Sequence, residues 1–154
     1  MVIGRAHHLA FDCVDPRALA AFYSRLLGLP VTSSSDDWVV VAESDRASGF
    51  AFQRAPGHQA PSWPDPRSSQ QAHLDVMVDD LDEADAAVVA LGATRLPGGD
   101  HVYADPAGHP FCLVPRPTWA PAVHPDARAE PQQAEAPPSS AETAGPHAAG
   151  LPRS

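Results

Sequence analysis

The chain alternates between two patterns of apolar spacing, and it does so twice in the same order. His8 to Asp15 reads HLAFDCVD, with Leu9, Phe11 and Cys13 on one side of a period-two alternation and His8, Ala10 and Asp12 on the other. This predicts a strand over Arg5–Val14 with one apolar face. Asp15-Pro16 then supplies a helix N-cap and a first helical residue, and Leu19, Phe22, Tyr23, Leu26 and Leu27 recur at three-to-four spacing up to the C-cap Gly28. Leu29–Thr32, Trp38–Ala42 and Gly49–Arg54 are short apolar runs parted by polar turns, which predicts a three-stranded meander.

The second pass begins at Gln71. In QAHLDVMVDD, His73, Asp75 and Met77 share one side of a strand expected over Ala72–Val78, while Leu74, Val76 and Val78 take the other. Asp80 with Glu83 three residues later is a capping signal, and a helix with a small-residue stripe follows over Asp82–Leu91, closed by Gly92. Short strands are expected at Ala93–Leu96, His101–Ala104 and His109–Pro115. Asp105-Pro106-Ala107-Gly108 has the residue order of a type I turn. His101 and His109 flank that region and are expected to be exposed. The two copies lie about 65 residues apart and each reads strand, helix, three strands.

Between the copies, residues 55–70 are too irregular for either period and are expected to be a linker. Its one large apolar residue, Trp63, should fold back onto the body, either covering a core edge or roofing a pocket. Residues 116–154 hold eight prolines and ten alanines with almost no large apolar side chain, which predicts a disordered tail and a folded part over residues 1–115.

Charge narrows the partners. The formal net charge is −9 and lysine is absent, a balance that argues against nucleic acid and anionic membrane surfaces. No N-terminal run joins a basic to an apolar region and no segment approaches a membrane span, so the cytoplasm is the expected location. Cys13 and Cys112 sit inside apolar strands and are expected to be reduced thiols.

The order of elements, Phe22-Tyr23 followed by Leu27-Gly28-Leu29, the two histidine-bearing first strands, WPDP before QAHLDV, and DPAGHPFCLV near the end together resemble the vicinal oxygen chelate superfamily, in its glyoxalase-like branch, over about residues 3–115. The resemblance implies an α+β fold in which two tandem βαβββ modules, about 3–54 and 71–115, form a half-open β-barrel around a cavity. It implies four positions for a divalent metal, which fall on His8, Gln53, His73 and Cys112. Metal-using members usually carry carboxylates at the second and fourth, where this chain has Gln and Cys.

Two neutral imidazoles and two carboxylates would make a neutral site for a divalent ion, and replacing both carboxylates removes its anionic ligands. It also removes the residue that serves as proton-transferring base in isomerase members. The expectation is therefore a small-molecule-binding protein without glyoxalase activity, with His8, Asp12, Gln53, Trp63, His73, Asp75 and Cys112 as ligand-binding residues. The alternative is a lyase, isomerase or ring-cleaving dioxygenase holding one divalent metal through His8 and His73. Asp12 and Asp75 would orient those histidines, and the exposed edges of the sheets predict a homodimer.

Overall fold

Capping sets the helices before anything else packs. The computed structural model describes residues 2–124, in which β1 (His8–Cys13) leads through Asp15 into α1 (Pro16–Leu27). The Asp15 carboxylate accepts from the Ala18 N–H at 3.0 Å, and Gly28 ends the helix at φ 67°, a left-handed conformation that a side chain would strain. β2 (Val31–Ser34), β3 (Trp38–Ala42) and β4 (Gly49–Arg54) complete the first unit. In the second, β5 (Leu74–Val78) precedes α2 (Leu81–Leu91), where Asp80 accepts from the Asp82 and Glu83 N–H groups at 2.9 and 3.0 Å. β6 (Thr94–Arg95), β7 (Val102–Ala104) and β8 (Pro110–Pro115) follow.

The sheets run in the orders β1-β4-β3-β2 and β5-β8-β7-β6, with the first and last strands of each unit paired in parallel and the others antiparallel. Two open βαβββ units of identical topology make the fold α+β, as the resemblance implied. Strand starts lag the sequence pattern for a specific reason. The Leu29 N–H reaches back to the Ser24 carbonyl and the Ala93 N–H to the Val88 carbonyl, so these residues finish the helix ends and the strands begin at Val31 and Thr94.

One core joins both units. Leu19, Phe22 and Tyr23 of α1, Val39, Val41 and Phe52 of the first sheet, and Val76, Tyr103, Phe111 and Leu113 of the second are all buried in it. Phe22 meets Phe111 edge-on at 6.0 Å and Tyr23 stacks on Phe11 and Phe52 at 5.3 and 5.1 Å.

The ordered chain passes the expected boundary at residue 115. Arg116 pairs with Asp79 and donates to the Ala120 carbonyl at 2.6 Å, Asp79 also accepts from the Val123 and His124 N–H groups, and Ala120 is buried. The Arg116 guanidinium holds the Asp79 carboxyl below the usual carboxylate range. A strap tied by one carboxylate needs no apolar periodicity, which is why composition missed it. The remainder of the expected disordered tail, 125–154, lies outside the described residues. Among those described, no helix is long and apolar enough to cross a membrane.

Candidate functional site

Residues directly paired on neighbouring strands point to the same side of a sheet. In the first sheet, one paired row runs Ala10, Ala51, Val40 and another runs Asp12, Gln53, Trp38, with His8 opposite Gly49. All lie on the face away from α1, where Val40, Ala42 and Ala51 form a small buried patch under Trp38. His8 stacks on His7 at 3.7 Å and meets Trp38 edge-on at 6.4 Å. Desolvation, then the neighbouring His7, pulls its pKa down. Among the described residues no hydrogen bond joins His8 to Asp12, so that expected orienting pair does not form.

The second sheet differs. Asp75 is opposite Cys112, and His73 sits just ahead of β5 on the same face. His73 Nε2 lies 3.3 Å from Asp75 Oδ1, and its Nδ1 lies 3.2 Å from Gln70 Nε2. His73, Asp75 and Cys112 bring one potential ligand atom each to within 4.8 Å of one another, a group of three that does not include His8. Desolvation, then the Asp75 charge, pushes the Cys112 thiol up.

Register explains why the expected four ligands do not form one equivalent set. Cys112 is opposite Asp75, two residues beyond His73, whereas Gln53 is opposite Asp12, four beyond His8. The counterpart of Cys112 in the first sheet is Ala51. Trp63 does fold back, donating through Nε1 to the Pro97 carbonyl at 2.8 Å on the turn before β7. There it covers the second unit and lines neither cleft described below.

A cleft of about 380 Å³ opens between β1 and the 58–72 segment. Leu9, Ala10, Phe11, Pro61 and Pro110 give it apolar walls, and Asp12, His58, Gln59, Gln70 and His109 bring polar groups. Gln70 Oε1 is buried without a hydrogen-bond partner. A smaller cleft of about 270 Å³ lies behind it, between Cys13, the start of α1 and Ala107.

His109 is a correction to the sequence reading. Its side chain is only 16% exposed, and Nδ1 lies 3.0 Å from Oδ2 of Asp105, whose own side chain is wholly buried. Asp105 Oδ1 accepts from the Ala107 and His109 N–H groups at 2.8 and 3.0 Å, and Oδ2 accepts from the Tyr23 hydroxyl at 2.9 Å. Burial, reinforced by the Asp105 charge, drives the Tyr23 hydroxyl far above its ordinary pKa, so it stays a donor. The His109 ring is further held edge-on to Phe11 at 5.2 Å and stacked on His58 at 4.8 Å. Local spacing could have suggested this: an Asp that opens a turn four residues before a His can cap the turn and reach the ring.

Comparison with known proteins bears on this arrangement. The family model for the glyoxalase-like domain matches residues 8–114. The chain belongs to the glyoxalase-like domain family, within the vicinal oxygen chelate superfamily. Solved structures that resemble this glyoxalase-like domain include a possible glyoxalase from Bacillus cereus, with a TM-score of 0.53 at 14% identity over 73% of this chain and 99% of that one. A protein from Agrobacterium tumefaciens gives 0.56 at 17% identity over 75% and 99%. A glyoxalase/bleomycin resistance protein/dioxygenase family enzyme from Burkholderia phytofirmans gives 0.53 at 18% identity over 70% and 95%. Identities this low establish the fold alone. No curated protein matches.

Proposed function

We propose that this glyoxalase-like domain binds a small molecule in the cleft between β1 and the 58–72 segment, without glyoxalase turnover. The lining carries the reading: about 380 Å³ of mixed apolar wall and inward polar groups is the size and character of a ligand pocket, typically ~300–1,000 Å³. Cys112 and its first-sheet counterpart Ala51, like Gln53 two residues on, offer no carboxylate to serve as an isomerase's proton-transferring base, so ligand binding is favoured over that chemistry. Protein-observed NMR with a fragment set is the test. Hits are expected to move the Ala10, Asp12, Gln70 and Ala72 resonances together, and hits that perturb only other regions would refute the reading.

His73, Asp75 and Cys112 favour a second reading, a divalent-metal enzyme of the lyase, isomerase or dioxygenase kind. One nitrogen, one carboxylate oxygen and one sulfur suit zinc, and three protein ligands leave a position open. When bound, such an ion would supply Lewis acidity to a ligand oxygen. The chain's part is to hold it, with Cys112 giving up its proton on loading. Elemental analysis of tag-free protein should then find near-stoichiometric metal that His73→Ala loses and His8→Ala keeps. Equal loss from both variants would sink this site.

A further inference from the structure

We propose that the Asp105–His109 pair makes the β1 cleft a receptor for a neutral aromatic ligand bearing a weakly acidic O–H, with His109 Nε2 accepting that proton. The inference rests on the cleft being a binding site and names what it would take. A carboxylate only accepts, so the His109 nitrogen facing Asp105 must carry a proton; in the neutral ring the lone pair is then on Nε2. The ring lines the cleft and its hydrogen bonds within the fold run through Nδ1, which leaves Nε2 to a ligand. Asp105 and Tyr23 are positioning residues: the hydroxyl, two main-chain N–H groups and the imidazole converge on one buried carboxylate and hold the ring in a single tautomer and direction.

The neighbouring groups select the ligand. His58 stacks on His109, and its Nε2, 3.1 Å from the Ala107 carbonyl, is committed to donating there. Asp12 also lines the cleft and repels a ligand that arrives already anionic. Phe11 and the prolines offer flat apolar surface to a ring. In the binding step the O–H bond of the ligand breaks and an N–H bond forms at Nε2, giving an imidazolium paired with a bound aryloxide. No other reactant is needed.

Para-nitrophenol is the probe, because its aryloxide absorbs in the visible and its neutral form does not. With the full chain, at a pH below the phenol's own ionisation, the aryloxide band should grow in proportion to bound probe. His109→Phe preserves ring packing but should remove the band and weaken binding by roughly tenfold or more, the loss of a charge-assisted hydrogen bond. His109→Gln, whose amide can still donate to Asp105, should also lose the band and guards against a folding defect in the first variant. Nitrogen NMR of wild-type protein should report the Nδ1–H tautomer for His109. An unchanged band in both variants, or the opposite tautomer, would overturn the inference. A wild-type chain that shows no band while fragments still move cleft resonances overturns it and leaves the cleft reading intact; silence of the cleft towards every fragment overturns both.

Discussion

α1 buries Pro16, Leu19, Ala20, Phe22 and Tyr23, whereas α2, in the same place in its own unit, buries only Val88. Both helices have an aspartate N-cap and a left-handed glycine C-cap, so the difference is one of side-chain volume. It extends to the opposite faces of the sheets. In the first unit Val40, Ala42 and Ala51 fill that face, and in the second His73, Asp75 and Cys112 gather there. α1 also serves both units, through Phe22 on Phe111 and the Tyr23 hydroxyl on Asp105. The first copy's helix thus supplies more of the shared core than the second's, while the second copy's open face gathers a His, an Asp and a Cys that can do chemistry.

The largest effect should come from breaking that asymmetry at α1. Phe22→Ala empties a buried ring site touching both sheets and should cost about 3–5 kcal/mol, the range for such truncations. Val88→Ala removes two methyl-sized groups' worth of burial under α2 and should cost about 2 kcal/mol at ~0.8 kcal/mol per group plus a small cavity. Urea denaturation measures both. Equal losses would mean that α2 contributes as much as α1 and that the scaffold is shared.

What could be seen in the sequence follows the same divide between local and distant causes. Strand alternation, helix stripe and caps are local, so Asp15, Asp80, Gly28 and Gly92 marked their helix ends correctly and His73 and Asp75 came out on one face. Register is not local: the pairing of Cys112 with Asp75 but Gln53 with Asp12 depends on where each parallel strand docks, and no periodicity encodes that. His109 is half-buried rather than exposed because its ring is covered by Phe11 and His58, which the fold delivers from far along the chain. The strap after Arg116 is held by hydrogen bonds to Asp79, and proline-rich composition masked it.

The two cysteines offer a gentler probe of the same comparison. Cys13 lies in the shared core at 1% exposure, its thiol donating to the Gln53 carbonyl at 3.6 Å, while Cys112 is only half-buried on the face that carries His73. Burial, then the charges of Asp105, Asp15 and Asp12, raises the Cys13 pKa from 9.0 to about 11. Below pH 9.0 the thiol is protonated whether the chain is folded or not, and stability is unaffected. Between 9.0 and about 11 the unfolded chain gives up the proton first, binds fewer protons than the folded one, and stability falls as pH rises. Tyr23 and Tyr103 are also shifted upward and add their own losses above their ordinary value of 10.0, so the informative quantity is the slope just above pH 9.0 in wild type minus that in Cys13→Ala. Melting temperature against pH should fall less steeply in the variant over that interval. Identical slopes would place no titration penalty at Cys13. A thiol-alkylating reagent gives the matching contrast in native protein: Cys112 should react and Cys13 should wait for unfolding, and equal rates would mean that the first unit opens as readily as the second.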